Sequence, residues 1–273
     1  MQHCHYLEIE GKIAATIALY KTHLIFKGKE LPVTFIGGIA VNEEFRGHGV
    51  FKMFFSKLLN EYHKTTALFI LWTGDPEIYE AWEFFPFGYI CEQPITNPAK
   101  TLTTSGWNEE IQSLIKTQYN ELSNQYIIHN RSEKFWKSMF QNYSAKVFTN
   151  DEQTEYAICS KGFDLRGICH ESTSLKSPSF QVEASSFWSP EINNELAGRY
   201  MGFLKLSNID LLNEWLKEIG SGLQLASKTS FLFNEEVFNL SQQEVIQGIF
   251  GPAWFDEIKA ELPPIWIGGL DSI

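Results

Sequence analysis

The sequence predicts an α/β (α+β) protein in which a mixed, twisted sheet is flanked by helices. Three observations carry this prediction. The apolar run at 33–41 is strand-like, and an amphipathic helical pattern follows it from Val50 onward. A short continuous apolar run at 67–72 is typical of a strand that is buried on both faces. A strand, a helix and a second strand in this order predict a parallel pair with a right-handed crossover.

The first elements follow from the spacing of apolar and turn-forming residues. Residues 5–10 alternate, Gly11 marks a turn, and residues 13–20 form a second strand. The polar stretch 26–30 contains a glycine and predicts a hairpin that leads into the strand at 33–41. The first helix has one buried face, because its apolar positions are 50, 51, 54, 55, 58, 59 and 62.

A second helix is expected after the buried strand at 67–72. Asp75 is placed as its N-cap, and Pro76 is placed at its first helical position. We expect this helix to end near Pro86 and a further strand to follow at 88–92. The helix would carry the aromatic and aliphatic residues Ile78, Tyr79, Trp82 and Phe85.

A linker separates two predicted domains. The segment at 96–106 is polar and rich in threonine, with one proline and a closing glycine. We therefore expect one domain at 1–98 and a second at 107–273. The second domain begins with helices at 107–124 and 132–141, and strand-like pieces follow at 145–148, 156–160 and 165–170. Further helices are expected at 209–219 and 242–249.

Composition and charge exclude several classes of protein. The chain has 44% hydrophobic residues, which is ample for a packed core. Its net charge is −11, and the basic residues form no block, so we expect no nucleic-acid partner. No apolar run approaches the ~20 residues of a membrane span, and the N-terminus lacks the pattern of a signal peptide. The four cysteines have no paired spacing. We expect a cytoplasmic protein without a membrane partner.

The tetrapeptide Arg46-Gly47-His48-Gly49 stands where the strand gives way to the helix. A helix N-terminus presents unpaired amide groups and the positive end of the helix dipole, so it suits an anion such as pyrophosphate. Glycines allow the backbone to approach such an anion closely. The alternative is a simple strand-to-helix turn that needs glycine for a positive φ. The tetrapeptide by itself leaves both interpretations open.

The wider stretch GIAVNEEFRGHGVFKMFFSKLL resembles the pyrophosphate-binding motif of the GNAT N-acyltransferase superfamily, Gln/Arg-x-x-Gly-x-Gly/Ala. Arg46 and Gly49 match the first two specified places, and Phe51 departs from the small residue at the third. The resemblance covers about residues 1–95 and implies a GNAT acyl-CoA N-acyltransferase fold with acetyl-CoA (coenzyme A) as co-substrate. It also implies the cofactor-binding residues Ile39, Ala40, Val41, Arg46, Gly47, His48, Gly49, Val50 and Phe51.

The resemblance also suggests catalytic groups. In the family, the amide at the position of Val41 polarises the thioester carbonyl. The tyrosine that protonates the leaving thiolate in many members would fall at Phe84 or Phe85, and neither can donate a proton. Tyr79 and Tyr89 are then the nearest phenols, and each is equally compatible with a core aromatic role. Glu43 and Glu44 are candidate bases or solvated loop charges.

The later half resembles the family more faintly. Residues 107–170 look like the opening elements of another such domain, and the ending PPIWIGGLDSI is similar to the tails of two-part GNAT proteins. No Arg-x-x-Gly-x-Gly occurs there, so we expect a second, degenerate GNAT-like half that holds no cofactor. The family also has elements ahead of the one at 5–10, so either the domain is trimmed or the later half supplies that wall.

Two functions compete at this point. The first is an acyl-CoA-dependent N-acyltransferase that acetylates an amine of a small molecule or peptide by direct attack on the thioester. The second is a GNAT-derived module that binds acyl-CoA or another small ligand without catalysis, which the phenylalanines at 51, 84 and 85 favour. There is no HExxH motif, and we expect no metal. Whether the chain forms an oligomer is open.

Overall fold

The structure is a computed structural model that describes residues 2–95, 104–141, 144–190 and 198–271. Most of the predicted linker, at 96–103, lies outside the described residues. In chain order the strands are β1 Gln2–Ile9, β2 Lys12–Phe26, β3 Lys29–Val41, β4 Leu68–Leu71, β5 Phe85–Phe87, β6 Ile90–Pro94, β7 Thr104–Ser105, β8 Ile127–His129, β9 Lys146–Thr149, β10 Tyr156–Cys159, β11 Ile168–Ser172, β12 Ser186–Ser189, β13 Gly198–Arg199, β14 Gly202–Leu206, β15 Gln224–Ser227, β16 Ser230–Phe233, β17 Glu236–Asn239 and β18 Ile265–Trp266. The α-helices are α1 Val50–Tyr62, α2 Glu77–Glu80, α3 Glu109–Glu121, α4 Glu133–Phe140, α5 Ile209–Glu218, α6 Gln242–Phe250 and α7 Asp256–Glu261.

The chain forms two compact units that do not follow chain order. The first unit contains residues 1–87 and 202–263, and the second contains residues 88–201 and 264–272. The second unit is thus largely an insertion between two segments of the first. The sequence-based division into domains at 1–98 and 107–273 stays a prediction.

The first unit is built on one mixed sheet with the strand order β1-β2-β3-β4-β14-β5. Strands β3 and β4 are parallel, as the strand-helix-strand pattern predicts, and Val33 pairs with Leu68. The other neighbours are antiparallel. A two-residue turn joins β2 to β3, and both of its residues, Lys27 and Gly28, have positive φ. This is the backbone twist that a tight hairpin requires.

The core of the first unit follows from two sequence periods. Strand β2 alternates buried and exposed residues along its middle, so that one face of the sheet points inward. Helix α1 buries one stripe against that face at the spacing that its sequence predicts. All four residues of β4 are buried, as expected for a strand covered on both faces. The buried members of this cluster include Ile17, Leu19, Ile36, Phe54, Phe55, Leu58, Phe69, Leu71, Tyr79 and Phe84.

Strand β14 completes this sheet although it lies far along the chain. It pairs with β4 on one side and with β5 on the other, both antiparallel. Leu204 and Leu206 are completely buried. A glycine at position 202 allows the backbones of β14 and β4 to approach each other, because a Cβ there would lie 3.0 Å from the carbonyl oxygen of Leu71. Residues from the second half of the sequence therefore form the interior of the sheet.

The second helix is much shorter than its sequence predicts. Helix α2 has four residues, and Glu83 adopts a φ of +63° shortly after it. Such a left-handed residue ends a helix. Phe85 and Pro86 then pair with β14 as strand residues. The expectation that the helix continues to Pro86 is wrong, because β-sheet pairing with a distant strand outweighs the helical periodicity.

The second unit has a separate sheet with the order β13-β6-β12-β11-β10-β9-β7. Within it β11 and β12 are parallel, whereas β9, β10 and β11 form an antiparallel meander. Strands β8 and β18 form a parallel pair, in which Ile127 pairs with Ile265. Helices α3 and α4 start close to their predicted positions, and the side chains of Asn108 and Ser132 cap them.

A buried charge network ties distant segments of the second unit together. The guanidinium of Arg131 donates to Asp271 at 2.8 Å and to Glu171 at 3.0 Å, and all three side chains are fully buried. His129 lies 2.7 Å from the same Asp271 carboxylate. Burial alone raises the pKa of Asp271, but Arg131 and His129 outweigh it and hold that pKa below its usual range. The Asp271 carboxylate therefore stays ionised at neutral pH.

Arg131 also stacks on aromatic rings. Its guanidinium carbon lies 3.6 Å from the ring centroid of Tyr119 and 4.9 Å from that of Trp136. A planar guanidinium satisfies two carboxylates and two ring faces at once, which lysine does not do. Arg131 thus connects two buried carboxylates with two aromatic rings in the core of this unit.

We predict that the first unit needs β14. A fragment of residues 1–98 should not unfold cooperatively, because Leu71 and Phe85 would each lose a strand neighbour. Phe87 and Gly202 are register partners on adjacent strands, so a two-residue Asn-Gly turn is long enough to join them. A chain of residues 1–87, this turn and residues 202–263 should unfold cooperatively in a thermal melt followed by circular dichroism. A sharp transition in the 1–98 fragment would contradict the role given to β14.

We predict that Arg131→Met destabilises the second unit by about 3–5 kcal/mol, because it leaves two buried carboxylates without their cation. Lys116→Met is the control, since Lys116 forms an exposed pair with Glu133 at 2.7 Å. Loss of an exposed pair should cost about 0–1 kcal/mol. Hydrogen exchange of peptides that cover β10 and β11 measures the two effects, and equal losses in the two variants would contradict the assignment.

Candidate functional site: the cavity between β3 and α1

A β-bulge shapes the end of β3 before the glycine loop. Thr16 pairs with Ala40 and Ala18 pairs with Gly37, so two residues of β3 oppose the single residue Ile17. Gly38 has a φ of +55° at this bulge. A bulge bends its strand and redirects the following side chains. The last residues of β3 accordingly become half-exposed, whereas the middle of the strand is buried.

The loop from Arg46 to Gly49 gives the backbone an unusual conformation. Gly47 and Gly49 have φ values of +79° and +74°. No atom lies within 4 Å of the place where a Cβ would stand on either glycine. The glycines are therefore needed for backbone conformation and leave open space above the loop. The loop therefore agrees with both interpretations of the motif. It needs glycine for a positive φ, and its backbone is also accessible to an anion.

The first turn of α1 points unpaired amides at this loop. The N-cap is Gly49, which has no side chain to cap the helix. The first intrahelical bond is donated by the amide of Met53 to the carbonyl of Gly49, at 3.0 Å. The amides of Val50, Phe51 and Lys52 precede that bond and have no partner within the helix. They form the positive end of a helix of thirteen residues.

Arg46 stands beside these amides. Its Nε donates to the carbonyl oxygen of Val41 at 3.2 Å. Its guanidinium also lies 3.5 Å from the carboxylate of Glu43, and 65% of its side chain is exposed. The bond to Val41 joins the end of β3 to the loop, and it leaves the guanidinium accessible to an anion.

These elements enclose a cavity of about 880 Å³. Its walls are the end of β3, the glycine loop, the first turn of α1, and the segment around α2. The lining is mainly apolar, and its charged members are two basic residues and one acidic residue. It consists of Ile39, Ala40, Val41, Phe45, Arg46, Gly47, Gly49, Val50, Phe51, Lys52, Asp75, Ile78 and Tyr79.

Tyr79 is a buried phenol in the wall of the cavity. It is 8% exposed, and its ring packs edge-to-face on Phe51, Phe55 and Phe84. Its hydroxyl makes no hydrogen bond to any residue that the structure describes. Burial raises the pKa of Tyr79, and the charge of Asp75 raises it further. The phenol therefore keeps its proton at neutral pH and has that proton available for a ligand.

Comparison with known proteins identifies the first part of the chain. The family model for the acetyltransferase (GNAT) domain matches residues 2–87. Residues 2–87 are a GNAT domain. This match ends at Phe87, the last residue of β5. No curated protein matches the sequence.

Solved structures extend the likeness in fold. A GCN5-related N-acetyltransferase from Anabaena variabilis is 13% identical, with a TM-score of 0.60 over 98% of this chain and 89% of that one. A protein of unknown function from Enterococcus faecalis, described as a probable N-acyltransferase, is 13% identical with a TM-score of 0.58 over 82% of this chain. Eis1 from Mycobacterium abscessus is 9% identical, with a TM-score of 0.53 over 86% of this chain and 74% of that one.

These likenesses concern the fold. The chain spans 66% of the length of the Enterococcus protein. The predicted fold class, a mixed sheet flanked by helices in the GNAT fold, is confirmed. The interpretation of the second half as a degenerate GNAT-like domain stays a prediction.

The GNAT cavity brings together most of the residues that the sequence motif indicates. Ile39, Ala40, Val41, Arg46, Gly47, Gly49, Val50, Phe51 and Tyr79 all line it. His48 belongs to the loop but is not among the lining residues. Tyr89 belongs to the second unit, where its ring lies against Gly198. Among the two candidate phenols, Tyr79 is therefore the one in the wall of this cavity.

Four lining residues were missed by the sequence motif, namely Phe45, Lys52, Asp75 and Ile78. Asp75 was expected to be the N-cap of α2, but the N-cap is Pro76 and no side chain caps this helix. The capping assignment is therefore wrong, and the carboxylate of Asp75 is available to the cavity. The signal that pointed to Asp75 was its position before a proline, which also fits a loop residue at the end of a strand.

Two features are absent from the described residues. In these parts of the chain, no helix has the length and apolar character needed to cross a membrane. No group of three or more metal-binding side chains occurs among them either. His3 and His5 do lie two residues apart on β1, with ring centroids separated by 6.2 Å. The Nε2 atom of His5 pairs with the hydroxyl of Tyr62.

We predict that Gly49→Val weakens binding of coenzyme A far more than it weakens folding. A β-branched side chain would strain the positive φ and cover the amides of the first turn. Gly28→Val is a matched control, because Gly28 has the same φ of +74° and the same open surroundings in the β2–β3 turn. Each variant should lose about 1–2 kcal/mol of stability from the strained φ. Calorimetric titration with coenzyme A measures the difference, and equal affinities in the two variants would contradict the prediction.

Proposed function

We propose that the protein is an acyl-CoA-dependent N-acyltransferase that transfers an acetyl group from acetyl-CoA to an amine of a small molecule or peptide. One observation carries the proposal. The GNAT cavity has the unpaired amides of a helix N-terminus on one wall and the buried, protonated phenol of Tyr79 on another. The first wall suits a pyrophosphate, and the second suits a leaving thiolate.

The residues present fit acetyl-CoA as co-substrate. The amides of Val50, Phe51 and Lys52 and the side chains of Arg46 and Lys52 would hold the pyrophosphate. Open space above Gly47 and Gly49 allows the anion to approach the backbone. Acetyl-CoA supplies an acyl thioester, which an amine attacks without a covalent enzyme intermediate. Phe51 at the place of the usual small residue does not remove a donor, because backbone amides make the contact.

The reaction then needs two groups from the protein. The amide of Val41, at the end of β3, would polarise the thioester carbonyl. The amine nitrogen forms a bond to the acyl carbon and releases one proton to water. The bond from that carbon to sulfur breaks, and its electron pair leaves on the thiolate. Tyr79 would give its proton to that sulfur and recover a proton from solvent. Phe84 and Phe85 carry no proton that they could donate, so neither takes this role.

The proposal includes the setting in which the protein acts. The net charge of −11 disfavours nucleic acid as a partner and favours cationic acceptors. We place the activity in the cytoplasm, where acetyl-CoA and reduced thiols coexist, without a membrane partner or a metal. The four cysteines, which carry no disulfide, are compatible with that compartment.

The test separates an enzyme from a binding module. Coenzyme A and acetyl-CoA should each raise the Tm of the full chain, because a ligand that binds the folded state stabilises it. Release of free thiol from acetyl-CoA is then followed over a panel of amines. Turnover on at least one amine supports the acyltransferase, whereas binding without turnover on any amine favours the module. Failure of both ligands to raise the Tm would refute the acyltransferase and any module that binds acyl-CoA, and would leave only a module for another small ligand.

We predict that Tyr79→Phe lowers turnover by ~10²–10⁴-fold, the usual effect of losing a general acid, while the affinity for coenzyme A stays nearly unchanged. Tyr6→Phe is the control, since Tyr6 lies on β1 with 62% of its surface exposed. Steady-state thiol release and calorimetric titration report the two quantities. Full activity in Tyr79→Phe would remove this residue from the mechanism, and an equal loss of binding would make it a packing residue.

A further inference from the structure

The basic and the acidic residues that line the cavity lie on different walls. Among the described residues that line it, Arg46 and Lys52 are basic, and Asp75 is the single carboxylate. The basic pair belongs to the glycine loop and the first turn of α1, where the proposed pyrophosphate site lies. Asp75 belongs to the different segment that joins β4 to α2. The cavity thus has one wall suited to an anion and a separate wall suited to a cation.

The carboxylate of Asp75 is not used by the fold. The backbone amide of Asp75 donates to the hydroxyl of Thr73 at 2.9 Å, and its carbonyl accepts from the amide of Ile78 at 3.2 Å. Its side chain neither caps α2 nor forms a hydrogen bond or ion pair with any described residue. A solvated carboxylate in a cavity wall, without a partner in the protein, is free to bind a ligand cation.

Asp75 lies next to the reacting groups of the proposed function. Tyr79 follows it by four residues and lines the same cavity. Burial raises the pKa of Tyr79, and the negative charge of Asp75 raises it further. Ile78 lies between them in sequence, lines the cavity, and is 46% exposed. A cation held by Asp75 would therefore have an apolar surface and the phenol beside it.

Other carboxylates near the loop do not offer the same contact. Glu44 pairs with Lys12 at 2.6 Å, and Glu43 lies 3.5 Å from Arg46. Neither is among the residues that line the cavity, and the same is true of Glu77 and Glu80 on α2. The candidate bases that the sequence suggests, Glu43 and Glu44, are thus engaged with cations at the outside of the loop.

We propose that Asp75 binds the protonated amine of the acceptor substrate and selects primary amines that carry one positive charge and an apolar body. The inference rests on the proposed acyltransferase function and names its acceptor class. Asp75 pairs with the ammonium group, and Ile78 contacts the apolar part of the acceptor. A neutral alcohol of the same shape gains only the apolar contact.

The chemistry of the acceptor is consistent with this site. The bound ammonium must lose one proton before its nitrogen attacks the thioester carbon, and the carboxylate or a water molecule beside it takes that proton. The nitrogen loses a second proton to solvent as the amide forms. The thiolate takes its proton from Tyr79. One amide, one free thiol and one released proton therefore result from each ammonium ion and thioester.

The test compares matched ligands and matched variants. The ligands are 3-phenylpropylamine and 3-phenylpropan-1-ol, which differ in the cationic group. The variants are Asp75→Asn, which removes the charge and keeps the shape, and Glu77→Gln, which removes a nearby exposed charge outside the cavity lining. Calorimetric titration of each ligand is carried out with and without saturating coenzyme A, and thiol release from acetyl-CoA gives KM and kcat for the amine.

We expect the amine to bind the native chain more tightly than the alcohol. Asp75→Asn should raise the Kd and the KM for the amine about tenfold, as for loss of one charge-assisted hydrogen bond at an exposed site, with a smaller change in kcat. The affinity for the alcohol and for coenzyme A should not change. The preference of the native chain for the amine should also decrease at high salt. Glu77→Gln should behave as the native chain.

Three results would overturn the proposal. They are equal binding of amine and alcohol, an unchanged amine affinity in Asp75→Asn, and no amine binding to the coenzyme-A-loaded chain at millimolar concentration. Each of them leaves the acyltransferase function standing if coenzyme A still binds and another acceptor is acetylated. Failure of coenzyme A to bind the native chain would instead refute the acyltransferase function itself.

Discussion

Strand β4 is paired along both edges and buried on both faces, and the site depends on that constraint. Its parallel neighbour β3 ends in the bulge and the glycine loop, and its antiparallel neighbour β14 comes from residues 202–206. No polar backbone group of a strand in this position can turn to water, so its pairing must be complete. The segment that leaves β4 is thereby fixed, and it carries Asp75 and Tyr79 to the cavity wall.

The two sides of the cavity present different groups, namely backbone amides on the α1 side and the Tyr79 side chain on the α2 side. On the α1 side, positive φ values at Gly47 and Gly49 turn the chain so that helix amides face open space. On the α2 side, the helix is a single turn, and aromatic packing between Tyr79, Phe51, Phe55 and Phe84 holds the phenol in place. Amides that carry no side chain bind an anion without regard to residue type, which explains why Phe51 is compatible with the motif.

The second unit contains a buried charge network in addition to an apolar cluster. Arg131, Glu171 and Asp271 come from three distant segments, and each would be costly to bury alone. The same unit buries His170, whose ring nitrogens have no partner among the described residues. Burial lowers the pKa of His170 to about 3, so the ring is neutral at physiological pH. The buried ion pairs of Arg131 restrict the arrangement of the chain, because few alternatives would satisfy their charges.

Local patterns in the sequence determined a large part of this protein. The apolar stripe of α1, the two-residue turn at Lys27 and Gly28 and the continuous apolar run of β4 depend on neighbours within a few residues, and the structure has each of them. The resemblance of the stretch around Arg46–Gly49 to the GNAT motif indicated most of the cavity lining, because the motif lies within one short stretch of sequence. Tertiary structure decided the rest. Pairing of Phe85 and Pro86 with β14 shortened α2, and the absence of a capping bond left Asp75 facing the cavity. The insertion of residues 88–201 between β5 and β14 was equally invisible to periodicity, because strand pairing joins residues more than 100 positions apart and leaves no local spacing in the sequence.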